Sequence, residues 1–394
     1  MIAPALRFVL VASSLRLAIE GGRVSLAVLA VEQADSVALG GVLIAALLAP
    51  SVIIAPLAGV LFDRSTAPRL LLVAGGGVTA AGLALAGLLG VLPPAVVVAV
   101  LLLTGCCTPA FQGALSSFSA DLIPDSERAF AADAFAYNVS GVAGPALAAL
   151  AMAVGSSRLA LEVFAVVALG GALLALTLAM KPRPRPDEPV TIVAGIRRGL
   201  RHLVLHRPLA LTTLSSTLTQ VGAGAFPIAA VGLALERAGS ATGAGWVLTS
   251  FAVGGLVGSL LVAWRPIRRW DPTVVMLGAF TATGLGVVAA GLLPGFAPAI
   301  VAVAVGGLFT APGVTALFAV RQRESPPDVR AQVFTVGAGL RSSAAAVGAA
   351  IGGFLAVVGG GPLTVLVGIG WIASAAVLLL PGGLRRTPPE SIAA

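Results

Sequence analysis

Apolar runs of about 20 residues or more recur from one end of the chain to the other, each long enough to cross a bilayer core of about 30 Å as a helix. They occupy 6–31, 37–62, 70–92, 94–118, 130–154, 158–180, 209–233, 241–264, 272–293, 298–320, 332–357 and 361–381. Strict alternation of apolar and polar side chains is missing, which removes a transmembrane β-barrel. Only 10% of the 394 residues are charged, against about 25% in soluble globular proteins. The chain therefore reads as an all-α membrane protein with twelve transmembrane helices. Its 49 Gly and many Ala suit the close approach of helices in lipid.

The first run is too long for a signal-peptide core and carries Arg7, Arg16, Glu20 and Arg23, so it is read as a retained helix. Topology explains the formal charge of +8. With the N-terminus inside, all but five of the 24 Lys and Arg fall on the cytoplasmic side; Arg158 and Arg237 lie in outer loops, and Arg16, Arg23 and Arg341 lie within runs. That asymmetry obeys the positive-inside rule and needs no nucleic-acid partner. The expected location is the plasma (inner) membrane of a bacterium, multi-pass, with both termini cytoplasmic. Cys106 and Cys107 are adjacent within the fourth run and are read as small packing residues, since neither a structural disulfide nor a zinc site can be assembled from them.

One segment breaks the pattern. KPRPRPDEPVTIVAGIRRGLRHLVLHRP, 181–208, separates six runs from six. Its start is Pro-rich and extended. From about 188 to 206, Val193, Ile196, Leu200 and Leu203 follow helical spacing and Arg197, Arg198 and Arg201 take another face, as in an amphipathic helix on the inner membrane surface. His202 and His206 lie one turn apart there but lack a nearby third ligand, so no metal is expected. The halves echo each other: LIPDSERAFAADAF between runs four and five matches ESPPDVRAQVFTV between runs ten and eleven in its Pro-Asp and Arg-Ala. An internal duplication follows, with an N-terminal six-helix bundle over 1–180, a cytoplasmic linker over 181–208 and a C-terminal bundle over 209–394. A substrate site then falls between two pseudo-symmetric bundles near the membrane midplane.

GVLFDRSTAPRLLL (59–72) lies between runs two and three, and Gly59, Leu61, Asp63 and Arg64 match the loop pattern of the major facilitator superfamily, which the chain resembles over nearly its whole length. Thr66, Ala67 and Pro68 depart from that pattern, and Arg69 is its only later basic residue. Gly59 permits close helix approach, Asp63 can accept hydrogen bonds from a helix N-terminus, and Arg64 or Arg69 can pair with Asp121, a set that would latch the cytoplasmic side. The alternative is ordinary inner-loop charge. SGVAGPALAAL (140–150) is similar to the Gly-Pro stretch of the superfamily's drug:proton antiporters through Gly141, Gly144 and Pro145, with Ala148 and Ala149 where glycines are usual. A Gly-Pro pair allows a helix bend, and a generic packing kink is the alternative. The segment GIRRGLRHLVLHRPL resembles that of siderophore exporters and macrolide efflux proteins. Those resemblances imply the major facilitator fold, alternating access and export. The arginine that many proton-coupled exporters carry three residues before a Gln-Gly pair is replaced by Pro109, ahead of Gln112 and Gly113, so that coupling residue does not transfer.

Arg16, Glu20 and Arg23 share one helical stripe with Ser13. Unpaired in lipid, the three charges would cost roughly 8–10 kcal/mol, so they must face the interior. The duplication sets Arg341 opposite Tyr137 and Asn138, the only Tyr and the only Asn of the chain. The expected substrate cavity is lined by Arg16, Glu20, Arg23, Tyr137, Asn138 and Arg341, with Gln112 and Gln220 as contributors. The stripe is open to a second reading as a purely structural ion network. For proton coupling the candidate acids are Glu20 first and Asp133 second, with Glu162 near the outer boundary. The sequence-level expectation is a secondary transporter, a proton-coupled exporter of a small polar or amphiphilic molecule, drug or siderophore-like. An importer, a carrier of lipid-like amphiphiles, or a non-transporting scaffold or receptor are the rivals. Neither histidine lies in a run and no nucleophile and base are paired, so no enzyme and no cofactor are expected. The partners expected are the substrate, protons and the bilayer, for a monomer.

Overall fold

The computed structural model describes residues 4–124, 126–182, 197, 201, 203–264, 270–325 and 327–382. The side chains of Gly59, Asp63, Arg64 and Asn138, and nearly all of the expected linker helix with His202, fall outside the described part. Within it the chain is helical: α1 (Pro4–Ala34), α2 (Val37–Leu48), α3 (Pro50–Arg64), α4 (Pro68–Ala86), α5 (Pro94–Pro109), α6 (Leu115–Ser117), α7 (Ser119–Leu122), α8 (Ser126–Val154), α9 (Ser157–Ala175), α10 (Arg207–Ala238), α11 (Gly243–Trp264), α12 (Pro272–Leu292), α13 (Phe296–Leu308), α14 (Thr310–Glu324), α15 (Pro327–Phe354) and α16 (Gly360–Ala376).

Three rods are broken within a span. Ala49, just ahead of Pro50, separates α2 from α3, a π turn at Ala110–Ala114 joins α5 to α6, and Phe309 separates α13 from α14. Eleven helices among the described residues are long and apolar enough to cross a membrane. The twelfth expected span is α1, whose 31 residues reach about 46 Å at 1.5 Å per residue; its length suffices, and its charges set it apart from the eleven. The third run was expected to continue to residue 92, but α4 ends at Ala86, followed by turns around Gly90 at φ +95 and by Pro93 and Pro94. Proline lacks the N–H that would extend the helix.

The same pairings occur in both halves. Helix α1 packs on α8 and α9, and α10 packs on α15 and α16; α4 packs on α9 as α12 packs on α16. Glycines carry the closest approaches. A Cβ on Gly144 of α8 would stand 2.9 Å from Glu20 Cβ and the Gly21 nitrogen, and one on Gly348 of α15 would stand 1.9 Å from the Val221 carbonyl oxygen of α10.

The two halves meet chiefly through α2 against α15 and α8 against α11. Gly41 faces Ala349 and Gly353, and Gly245 faces Ala149, all at the end of the bundle away from Pro4. The largest buried core draws on both halves, including Leu26, Leu43, Phe226 and Ala345. Toward the end that carries Pro4 it gives way to separate cores, one around Phe8, Phe111 and Phe118 and another around Met276, Phe280 and Leu317. The halves are therefore sealed together at the far end and form separate bodies at the near end.

Candidate functional site

Pro109 sets the local geometry of the first half. It has no N–H for the Gly105 carbonyl one turn back, and the Thr108 hydroxyl donates to that oxygen at 3.0 Å instead. Beyond it the helix widens, with the Leu115 N–H donating to the Ala110 carbonyl five residues back. Such π turns leave carbonyls free for other donors. Arg16 Nε donates to the Phe111 carbonyl at 3.0 Å. The Tyr137 hydroxyl and the Ser116 hydroxyl both donate to the Gln112 carbonyl, the latter at 2.8 Å.

Arg16 is the hub. Its side chain is 2% exposed, and its Nη2 stands 2.7 Å from Asp133 Oδ1 and 2.8 Å from Ser116 Oγ. The Tyr137 ring lies over the guanidinium at 3.7 Å, a cation–π contact strengthened by burial. Four groups from two rods thus hold one cation carried by a third, and Asp133 keeps 18% exposure. Glu20 takes no part in that cluster. It pairs one turn along its own helix with Arg23, at 3.0 Å, and both are half-buried.

Arg16, Asp133 and Tyr137 are therefore brought together, and Gln112 joins them through its backbone carbonyl. Arg341 lies elsewhere, in the second half, within electrostatic reach of Arg321, and Gln220 is half-buried on α10. Glu162 is paired with Arg158 at 3.3 Å, exposed. Of the expected latch, Asp121 lines a near-end cleft of about 510 Å³ with Arg7 and Lys181, whereas Arg69 is exposed and does not line it. Gly144 serves the crossing of α8 on α1, Gly141 has open space beside it, and α8 runs unbroken through Pro145. His206 stands 3.6 Å from Glu324. Among the described residues no three His, Cys, Asp or Glu cluster as a metal site would require.

The sequence reading passed over two features. Glu32, at the end of α1, accepts from the Ser157 backbone N–H and hydroxyl; Glu236, at the end of α10, accepts from the backbone N–H groups of Gly360 and Gly361. Each carboxylate caps the helix N-terminus across from it, and the two acids stand about 204 residues apart, the duplication seen in side chains. The other feature is Arg321, counted as a loop charge but 1% exposed on α14, its guanidinium lying against Gly337. The signal was available: Gly313, Leu317 and Arg321 share one face at helical spacing.

Residues 10–226 match the Major Facilitator Superfamily. The chain is 27% identical over 369 residues to "Uncharacterized MFS-type transporter y4rN" of Sinorhizobium fredii (strain NBRC 101917 / NGR234), covering 91% of this chain and 90% of that protein. Its fold is shared with the nucleoside transporter NupG, at TM-score 0.77 and 14% identity over 96% of this chain and 99% of that one. It is shared also with the peptide transporter POT in complex with sulfate, at TM-score 0.71 and 15% identity over 95% and 93%. The chain belongs to the major facilitator superfamily. It is a multi-pass secondary transporter of small molecules and not an enzyme.

Proposed function

We propose that the chain is a proton-coupled exporter of a small polar or amphiphilic molecule, with Asp133 and Arg16 as the coupling pair. The observation that carries this reading is the 2.7 Å ion pair between a fully buried arginine and a carboxylate that keeps some exposure. Protonating Asp133 would remove the charge opposing Arg16, loosen the junction of α1, α5 and α8, and so couple proton binding to helix movement. Asp133 stands ahead of Glu20 because its bond joins different rods, whereas the Glu20 bond to Arg23 stays within α1 and changes no helix contact when broken. On this reading Glu20, Arg23, Tyr137, Gln112, Gln220 and Arg341 would contribute to the substrate cavity.

Outward direction is supported by the likeness of Gly141, Gly144 and Pro145 to the antiporter stretch. The reading sets the near end, with both termini, in the cytoplasm of a bacterium. Its far-end seal then corresponds to a state open to the inside. A lone copy suffices, since each half contributes its own cluster.

The test is a proteoliposome assay with an imposed pH gradient and a lumenal pH dye, run with candidate antibiotics and siderophore-like compounds. Substrate-dependent proton movement is expected for the wild type and for Glu20→Gln, and is lost in Asp133→Asn. Labelled substrate crossing without proton movement in the wild type, or undiminished proton movement in Asp133→Asn, would overturn the coupling role. Uptake against the expected sidedness would make the chain an importer.

A further inference from the structure

The two halves repeat the same helices and differ in their charges. About 204 residues after Arg16 stands Gln220, and the same interval carries Asp133 to Gly337. The interval holds within these elements because α8 and α15 are continuous helices and because Gly144 and Gly348 occupy matching crossings. Where the first half has a carboxylate, the second half has a glycine with the Arg321 guanidinium laid over it, 2.6–2.9 Å from where a Cβ would stand.

Arg321 is 1% exposed, and among the described residues its hydrogen-bond partner is the Ser216 hydroxyl at 3.4 Å. Its Nε has no hydrogen-bond partner among the described residues, and neither has the Nε of Arg341. Among the described residues neither arginine makes an ion pair. Among the described residues, Glu324 is paired with Arg323 and His206, and Asp271 with Arg323. Arg341 lies on the face of α15 that, one and two turns later, packs on α10 through Ala345 and Gly348. Opposite, α10 carries Thr213, Ser216, Thr217 and Gln220 along one face, and the hydroxyls of Thr213 and Thr217 are buried without partners.

Two like charges near each other in a buried setting repel and lose hydration, which something of opposite sign between them would offset. The first half supplies that counter-charge from Asp133. Among the described residues the second half shows no such counter-charge beside Arg321 and Arg341. We propose that Arg321 and Arg341 form the anion-binding half of the transport site, receiving a carboxylate or phosphate group of the substrate, with the α10 hydroxyls and Gln220 binding its neutral part. This rests on the transporter reading above and narrows its substrate class to anionic molecules.

The test is binding, so that it can be read even if transport coupling fails. Purified protein in phosphatidylcholine nanodiscs is titrated with benzoate, phenylphosphate and the neutral isostere benzamide, followed by calorimetry. The proposal expects saturable binding of at least one anion, at least tenfold tighter than benzamide, weakened tenfold or more in Arg341→Gln and partly restored in Arg341→Lys. Arg341→Gln is the principal variant because Arg321 is fully buried and its replacement risks the fold. Equal binding of benzamide and both anions, no binding of either anion, or anion binding unchanged in Arg341→Gln would overturn it. Nanodiscs containing phosphatidylglycerol separate the source of the anion: binding abolished there identifies a lipid headgroup as the occupant and overturns the assignment to a substrate.

Discussion

Arg16 and Asp133 lie 117 positions apart in the chain, and on the proposed reading their ion pair couples proton binding to movement. Asp133→Asn keeps a hydrogen-bonding shape and removes the charge, leaving the buried cation with Ser116, the Phe111 carbonyl and the Tyr137 ring. Removing one partner of a fully buried pair costs about 3–5 kcal/mol, and the partial exposure of Asp133 together with the retained donors places this variant below that range. Thermal unfolding should show a lowered midpoint in a protein that still folds. Gly144→Ala should destabilise by about 1–3 kcal/mol, because its Cβ would press on Glu20 and the Gly21 backbone. Gly141→Ala, beside open space, should change stability by less than about 0.5 kcal/mol. Equal effects of the two glycine substitutions in a thermal melt would contradict the packing assigned to Gly144. That α1 must bury its charges was legible in the sequence, because ionised groups in an apolar run need partners. Which partner each charge takes was not, since helical spacing reveals neighbours one turn away, such as Arg23 for Glu20, and says nothing of residues on other rods.

At the scale of elements, the junction of α5 with the π turn is where backbone and site meet. Pro109→Ala restores an N–H for the Gly105 carbonyl and allows the helix to close in α register, drawing the Phe111 and Gln112 carbonyls away from Arg16 and Tyr137. Transport should fall while expression and folding persist; a fully active Pro109→Ala protein would remove the π turn from the mechanism. The far-end caps make a second expectation. Glu32→Ala and Glu236→Ala each uncap one helix and should each lower stability by about 0.5–2 kcal/mol, read as a fall in melting temperature with transport retained. The apolar runs foretold most rods to within a few residues. They failed at the third, where Gly90 and the two following prolines halt a chain that remains apolar. Pro109 stood out as a departure from a family pattern, but that a proline would release carbonyls for Arg16 depends on a helix face visible only in three dimensions.

For the whole molecule, the six-plus-six division was readable from the polar break at 181–208 and the repeated Pro-Asp and Arg-Ala, whereas the unequal charge of the two halves required Arg321 to be seen folded into α14. On the proposed transport reading, the shared core at the far end and the separate cores at the near end would be one endpoint of a rocking motion. A wedge should shift it: Gly41→Leu cannot fit against Ala349 and Gly353, so a cysteine introduced at the buried Leu43, with Cys106 and Cys107 replaced by alanine, should become reactive to thiol reagents that the parent protein excludes. The central claim is that protonation of Asp133 drives the exchange between two such states. Spin-label distances test it most directly, after Cys106 and Cys107 are replaced by alanine, with Val91→Cys and Val357→Cys reporting the far end and Thr66→Cys and Trp264→Cys the near end. On moving from mildly alkaline to acidic buffer, the account predicts that the far-end distance lengthens while the near-end distance shortens, and that Asp133→Asn abolishes this response. Distances at both ends that stay fixed with pH, or that lengthen together, would contradict it.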